Sequence, residues 1–102
     1  MTLVSQVFDA SDEIKNNRSL SDVMLHLSTE FGELAQEVQI AEGKSYKEPG
    51  SDGVVGEGID VIACTLDLIR LLHPEVTEET LDALMKVKLD KWKKEAGKND
   101  QA

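Results

Sequence analysis

Apolar residues recur at spacings of three and four along four stretches of the chain, which predicts four α-helices. The helices are predicted over about 3–15, 19–41, 54–72 and 77–96, with Ser19 or Ser21 as the N-cap of the second helix. The connections are short, and no sustained period-two alternation indicates a strand. The pattern therefore predicts an all-α protein built as a four-helix bundle.

The second predicted helix combines an apolar stripe with a row of acids. The stripe, which predicts the buried face, consists of Leu20, Val23, Leu27, Phe31, Leu34 and Val38. At 100° per residue, Glu30, Glu33 and Glu37 lie along one shoulder of this stripe. Such a row is either a solvated helix edge or a place where a cation lies between carboxylates that would otherwise repel each other.

The third predicted helix is apolar on two sides, which indicates that it packs on two sides. We expect one stripe to be buried within the chain: Val55, Ile59, Ile62, Leu66 and Ile69. We expect the other to meet a partner chain: Val61, Cys64, Leu68 and Leu71. Glu57 and Asp60 project on this second side, close to Cys64. Carboxylates in such a place are costly unless they are paired or bind a metal.

Basic residues concentrate in the fourth predicted helix. Residues 1–85 hold 5 basic and 17 acidic residues, whereas residues 86–102 hold 6 and 3. Lys88 and Lys91 continue the inward, apolar face of this helix, so they either reach a buried site or extend their charged ends to solvent at the helix end. The remaining lysines of the helix have the positions of ordinary solvated charges.

Length and composition narrow the classes of function. A chain of 102 residues supports one domain, here residues 1–102 with a flexible tail at about 97–102. Its formal net charge of −9 opposes binding to nucleic acid or to an anionic membrane. A single cysteine cannot form an internal disulfide, and neither a membrane span nor a signal peptide is recognisable. We therefore expect a soluble, cytoplasmic protein.

Two acidic i,i+3 pairs on separate helices predict an oxygen-rich metal site. Carboxylate oxygens favour Mg²⁺ or Mn²⁺ over zinc or copper. Other chemistries fit the sequence poorly. His26 and His73 are its only histidines and suit no Ser-His-Asp arrangement. The glycines form no phosphate-binding loop, and no Glu-x-x-His pair supports a di-iron bundle.

The order of the acidic pairs resembles a known signature. Glu30-Phe31-Gly32-Glu33-Leu34 is followed by Glu57-Gly58-Ile59-Asp60, with 23 residues between Glu33 and Glu57. This resembles the ExxE…ExxD signature of the MazG-like all-α nucleoside triphosphate pyrophosphohydrolases, and the similarity extends over about residues 18–95. In this family a nucleoside triphosphate is cleaved between its α and β phosphates, giving a monophosphate and pyrophosphate.

The resemblance implies roles for particular residues. Mg²⁺, with Mn²⁺ as a substitute, would be bound by Glu30, Glu33, Glu57 and Asp60. Lys88 and Lys91 would contact the phosphates, and Glu33 is the candidate that takes the proton of the attacking water. The chain departs from many members at two positions, where Thr29 replaces an additional glutamate and Trp92 replaces an asparagine.

The resemblance also implies an assembly, because small members of the family form homodimers or homotetramers. The two-sided apolar third helix fits that expectation. A different class of function stays open, namely a non-catalytic helical module that regulates or binds a partner and keeps the fold. The intact set of four acids favours the enzyme.

Overall fold

The computed structural model describes residues 1–14 and 17–101, with side chains through residue 97. It contains four helices, α1 (Leu3–Glu13), α2 (Leu20–Ala41), α3 (Gly53–Leu72) and α4 (Glu78–Gln101). The described residues form no strand. The predicted all-α class and the number and order of helices are confirmed.

Local side-chain chemistry explains where the first two helices begin. The Thr2 hydroxyl accepts a hydrogen bond from the backbone N–H of Ser5 at 3.1 Å, and the Ser5 hydroxyl accepts one from the N–H of Thr2 at 3.0 Å. This reciprocal capping box satisfies two amide groups that a helix start leaves free. At the start of α2, Ser19 accepts from the N–H of Asp22 at 3.0 Å. Of the two predicted caps, Ser19 is therefore the one used.

The predicted end of the fourth helix near Ala96 is wrong. Helix α4 continues through Gly97 and reaches Gln101, so residues predicted as a flexible tail are helical. A glycine lowers helix propensity by only about 1 kcal/mol relative to alanine, which neighbouring helix-forming residues can offset. Ala102, and Lys15 at the predicted end of the first helix, lie outside the described residues.

Helices α2 and α3 pack against each other in antiparallel directions, and α1 packs on α3. The antiparallel pairing follows from the contacts, because Glu37 meets Gly50 whereas His26, earlier on α2, meets Cys64, later on α3. Helix α1 is held on α3 by polar contacts at its C-terminal end. There the Ser11 hydroxyl donates to Asp67 at 2.6 Å.

The buried face of α2 is rotated from the predicted apolar stripe toward the acids. Its buried residues are Val23, Leu27, Glu30 and Glu37. Phe31 keeps 52% of its surface exposed and Val38 keeps 39%, although both belong to the predicted stripe. The reason is that α3 lies against the shoulder of α2 that carries the acids, so the opposite edge of the apolar stripe is left open.

The two apolar faces of α3 have the reverse of their predicted roles. Glu57 and Cys64 both reach α2, so the face they share packs within the chain. Leu68 and Leu71 continue that face at spacings of four and three and are half-buried. The stripe that was expected to be buried is open over its first part, with exposed Val55, Ile59 and Ile62, whereas its last two residues, Leu66 and Ile69, are half-buried. Hydrophobic periodicity identified both faces but not which of them meets the same chain.

The fourth helix does not close the bundle by packing tightly on the other helices. It packs only loosely on the other three helices, and a groove lined mainly by apolar side chains separates it from α1 and α3. The radius of gyration is 16.6 Å, against about 13 Å for a compact chain of 100 residues. The buried hydrophobic residues in the described part of the chain are Phe8, Val23 and Leu27. One chain alone therefore has a thin core.

None of the helices in the described part of the chain is long and apolar enough to cross a lipid bilayer.

Candidate metal-binding site

Three of the four predicted acids meet between α2 and α3. Glu30 and Glu33 are one turn apart on α2, and Glu57 lies in the first half of α3. Each offers a carboxylate oxygen, and these three oxygens lie within 4.8 Å of one another. The i,i+3 spacing on α2 places two carboxylates side by side, and the packing of α3 adds the third.

Asp60, the fourth predicted acid, lies at the exposed edge of the same cluster. Its negative charge contributes to raising the pKa of both Glu30 and Glu57. It lies one turn after Glu57 on α3, so it extends the acidic surface toward solvent. The structure thus brings all four predicted acids into one electrostatic neighbourhood, three of them in close contact.

Two oxygens of this cluster are buried without a hydrogen-bond partner among the described residues. They are Oε2 of Glu30 and Oε2 of Glu57. Glu30 is only 8% exposed. Its other oxygen, Oε1, lies 3.3 Å from Nε2 of His26. Buried polar atoms normally have partners, since leaving one unsatisfied costs about 1–3 kcal/mol. These two orphaned oxygens therefore indicate that the cluster is built to bind something.

Electrostatics points to a positively charged ligand. Desolvation raises the pKa of the Glu30 carboxyl first, and repulsion from Glu33 and Asp60 raises it further. Desolvation and the same two neighbouring carboxylates also raise the pKa of Glu57. Both groups are thus held where a negative charge is unfavourable, and a cation between them would remove that penalty.

Glu37, the third acid on the shoulder of α2, has a different role. Its Oε1 accepts a hydrogen bond from the backbone N–H of Gly50 at 2.8 Å. A Cβ atom at Gly50 would lie 2.7 Å from that oxygen, so a larger residue there would require the Glu37 carboxylate to shift. The contact fixes the loop before α3 and with it the start of the helix that carries Glu57. Glu37 is therefore a structural anchor beside the site.

Two residues next to the acids, His26 and Cys64, were not predicted as ligands from the sequence. A ring nitrogen of His26, Sγ of Cys64 and a carboxylate oxygen of Glu30 lie within 4.8 Å of one another. His26 and Cys64 each lie at a helical spacing from a predicted acid, because His26 precedes Glu30 by four residues and Cys64 follows Glu57 by seven. These spacings place each residue on the same helix face as its acid. That His26 and Cys64 meet across two helices can be seen only in the folded structure.

A network of ion pairs and hydrogen bonds, also missed from the sequence, lies further along the same face. Arg18 donates two hydrogen bonds to Asp67, at 2.6 and 3.1 Å, and Ser11 donates a third. A surface cavity of about 370 Å³ opens beside this network and reaches His26 and Cys64. The network ties α1, the connection between α1 and α2, and α3 together beside the cavity.

The predicted phosphate-binding lysines are not beside the acids within one chain. Lys88 and Lys91 are exposed on α4, and neither lies within ion-pairing distance of an acid that the structure describes. Lys88 lines the apolar groove between α4 and α3, together with Val61 and Ile62. Neither lysine pairs directly with the cluster among the described residues, and their contact with a phosphate ligand stays a prediction.

Comparisons of the chain with family models, with curated proteins and with solved structures found no match. What the site can do is therefore argued from its chemistry. Converging carboxylates with buried, unpaired oxygens can hold a divalent cation. A cation so held can in turn bind the phosphate groups of a ligand to a chain whose net charge would otherwise repel them.

Proposed function

We propose that this protein is a Mg²⁺-dependent nucleoside triphosphate pyrophosphohydrolase of the MazG-like type, converting a (deoxy)nucleoside triphosphate and water to the monophosphate and pyrophosphate. The observation that carries the proposal is the convergence of Glu30, Glu33 and Glu57 between antiparallel helices, with two buried oxygens left unpaired. The order of the acids along the chain, which resembles the ExxE…ExxD signature, supports the choice of this reaction.

The residues present fit magnesium. The predicted ligands are all carboxylates, the hard oxygen donors that Mg²⁺ prefers, and the orphaned oxygens of Glu30 and Glu57 are free to coordinate. We propose that Mg²⁺, or Mn²⁺ in its place, is held by Glu30, Glu33, Glu57 and Asp60. The bound ion would neutralise the triphosphate charge and lower the pKa of a water molecule.

Glu33 is the proposed general base. Unlike Glu30 and Glu57, it is exposed, so water and substrate can reach its carboxylate. In the proposed reaction, the water oxygen forms a bond to the α phosphorus and the bond from that phosphorus to the bridging oxygen breaks. Pyrophosphate leaves with the bonding electron pair, and a carboxylate oxygen of Glu33 accepts the proton of the water.

We also propose that the active form is a homodimer or homotetramer. The thin core, the open face of α3 and the loosely packed α4 all indicate that one chain leaves too much apolar surface in water. A two-fold arrangement would bury these faces. It would also let Lys88 and Lys91 of one chain reach phosphate groups bound at the acidic cluster of the other.

The alternative proposal is a non-catalytic helical module that binds a partner protein, and one feature of α4 favours it. Helix α4 exposes large apolar side chains that would suit a partner protein, namely Leu84, Met85, Val87 and Trp92. In that case the acidic cluster would bind a cation for stability alone. The two proposals differ in turnover and not in metal binding.

Pyrophosphate release from a panel of nucleoside triphosphates in the presence of Mg²⁺ tests the proposal. We expect turnover by the wild type and loss of most of it in Glu33→Gln and Asp60→Asn, because an amide keeps the shape but loses the charge. Glu79→Gln, at an exposed position in the first turn of α4, is the matched control and should keep full activity. Metal binding without turnover of any nucleotide would favour the interaction module.

A further inference from the structure

His26, Glu30 and Cys64 form a second set of ligand atoms beside the carboxylate cluster, and its chemistry differs from that of the cluster. It offers an imidazole nitrogen, a carboxylate oxygen and a thiol sulfur. We propose that these three residues form a Zn²⁺-binding site that shares Glu30 with the magnesium site, so that zinc and magnesium compete for the protein.

The geometry suits a tetrahedral zinc ion. Bonds of about 2.0–2.3 Å from zinc to nitrogen, oxygen and sulfur place neighbouring ligand atoms about 3.3–3.8 Å apart. The three ligand atoms lie within 4.8 Å of one another, and Nε2 of His26 already lies 3.3 Å from Oε1 of Glu30. The His26 side chain is 64% exposed, so its ring has room to adjust. Water or a substrate oxygen would complete the coordination.

The carboxylate that the two sets share is itself short of a partner. The Glu30 side chain is 11% exposed, and its Oε2 has no hydrogen-bond partner among the described residues. Its Oε1 lies 3.3 Å from Nε2 of His26, and its other close polar neighbours are the carboxylates of Glu33 and Glu57. A zinc ion between His26 and Glu30 would therefore neutralise a carboxylate that is surrounded mainly by other acids.

Negative charges around Cys64 attract a cation, and a surface cavity lets it reach the three ligand atoms. Burial, followed by the charges of Glu30, Asp60 and Asp67, raises the pKa of the Cys64 thiol. The same negative charges that oppose a free thiolate attract Zn²⁺, which would bind the sulfur as thiolate while its proton passes to solvent. The cavity of about 370 Å³ beside the Arg18–Asp67 pair is lined by His26 and Cys64 and opens to the surface.

The two sets of ligand atoms differ in the metal that they favour. Thiolate and imidazole ligands suit zinc and are poor ligands for magnesium, which prefers the all-carboxylate side. Because both sites need Glu30, zinc at its own site withdraws this carboxylate from the other. We therefore expect Zn²⁺ to inhibit the proposed reaction, a consequence that rests on the proposed function, whereas zinc binding itself does not.

Titration of the metal-free protein with Zn²⁺ and Co²⁺ tests the site directly. Co²⁺ should produce a thiolate-to-cobalt charge-transfer absorption in the near ultraviolet, and Zn²⁺ should abolish it. Cys64→Ser should lose the band. We expect His26→Ala and Cys64→Ser to weaken zinc affinity by at least about tenfold, the scale on which even outer-shell partners of a metal act. His73→Ala removes the other histidine and is the matched control, with unchanged affinity and absorption.

The outcomes separate the two proposals. Glu33→Gln should bind Zn²⁺ and show the cobalt band even though its turnover is lost, and a wild type without any turnover could still show the band. A folded wild type that gives no charge-transfer band with Co²⁺, or a Cys64→Ser variant with the zinc affinity of the wild type, would overturn the zinc site. Circular dichroism shows whether each variant retains its helices.

Discussion

Glu30 on α2 and Glu57 on α3 face each other across the helix pair, and each buries a carboxylate oxygen that no described residue contacts by a hydrogen bond. Both pKa values are raised, first by desolvation and then by the neighbouring acids. Without a cation, this arrangement lowers the free energy of unfolding. The proposed divalent ion would remove this penalty at the contact between α2 and α3.

The first prediction concerns metal and stability. Mg²⁺ should raise the melting temperature of metal-free protein, because a ligand that binds only the folded state at 100 times its Kd contributes about 2.7 kcal/mol. Mn²⁺ should act in the same way, whereas Na⁺ at matched ionic strength should not. Thermal unfolding followed by circular dichroism measures the effect. Full activity in excess EDTA would contradict the metal site.

The second prediction is that removing the charge of Glu57 increases the stability of the metal-free protein and lowers its activity. Glu57→Gln should raise the melting temperature of the metal-free protein by a few degrees, because it removes one of the repelling, desolvated charges. The same change should weaken Mg²⁺ binding and remove most turnover. Glu79→Gln, which neutralises an exposed acid, should leave stability, metal binding and turnover unchanged. A metal-free Glu57→Gln protein less stable than the wild type would show that this charge is not strained.

The third prediction concerns assembly and follows from the corrected faces of α3. Val55 is 79% exposed in the first turn of α3, on the open face. Val55→Glu should dissociate the oligomer and abolish turnover. Thr80→Glu adds the same charge in the first turn of α4 and is the control. Light scattering measures the mass.

The same assembly should make stability depend on concentration, since the oligomer is formed only by folded chains. The wild-type melting temperature should therefore rise with protein concentration. A wild type that stays a monomer of 11.2 kDa and still hydrolyses nucleotides would rule out the obligate dimer.

The fourth prediction concerns the ion pair between Arg18 and Asp67. Arg18→Gln should lower the free energy of unfolding by about 1–3 kcal/mol, because it leaves a half-buried carboxylate without its bidentate partner. Asp12→Asn, which breaks the more exposed pair with Arg70, should lower the free energy of unfolding much less, because solvent screens that pair. Urea denaturation compares the two. Equal effects would show that the Arg18–Asp67 pair, which joins the connection between α1 and α2 to α3, contributes no more than an exposed ion pair.

Sequence patterns predicted the helices well because periodicity and caps are local. The start of α2 at Ser19 needs only its own first turn, and the spacing of Glu30 and Glu33 places them together on any helix. Glu57 and Asp60 were found in the same way on α3. The four candidate ligands therefore followed from two local spacings, one on each helix.

Features that depend on how helices meet could not be predicted. Two apolar faces on α3 are equivalent by pattern, so the sequence did not distinguish the face of Leu68 from that of Val55. The positions of Cys64 beside His26 and of Arg18 beside Asp67 likewise depend on the pairing of distant residues. Lys88 was assigned to an inward face by periodicity, and in the structure it lines the groove between α4 and α3 without pairing with an acid that the structure describes.

The most direct test of the central claim is the identity of the products, followed by ³¹P NMR of a nucleoside triphosphate incubated with the protein and Mg²⁺. The account predicts nucleoside monophosphate and pyrophosphate in equal amounts, with both signals absent for Asp60→Asn. Formation of nucleoside diphosphate and inorganic phosphate, or an unchanged triphosphate with folded, Mg²⁺-bound protein across the whole nucleotide panel, would contradict it.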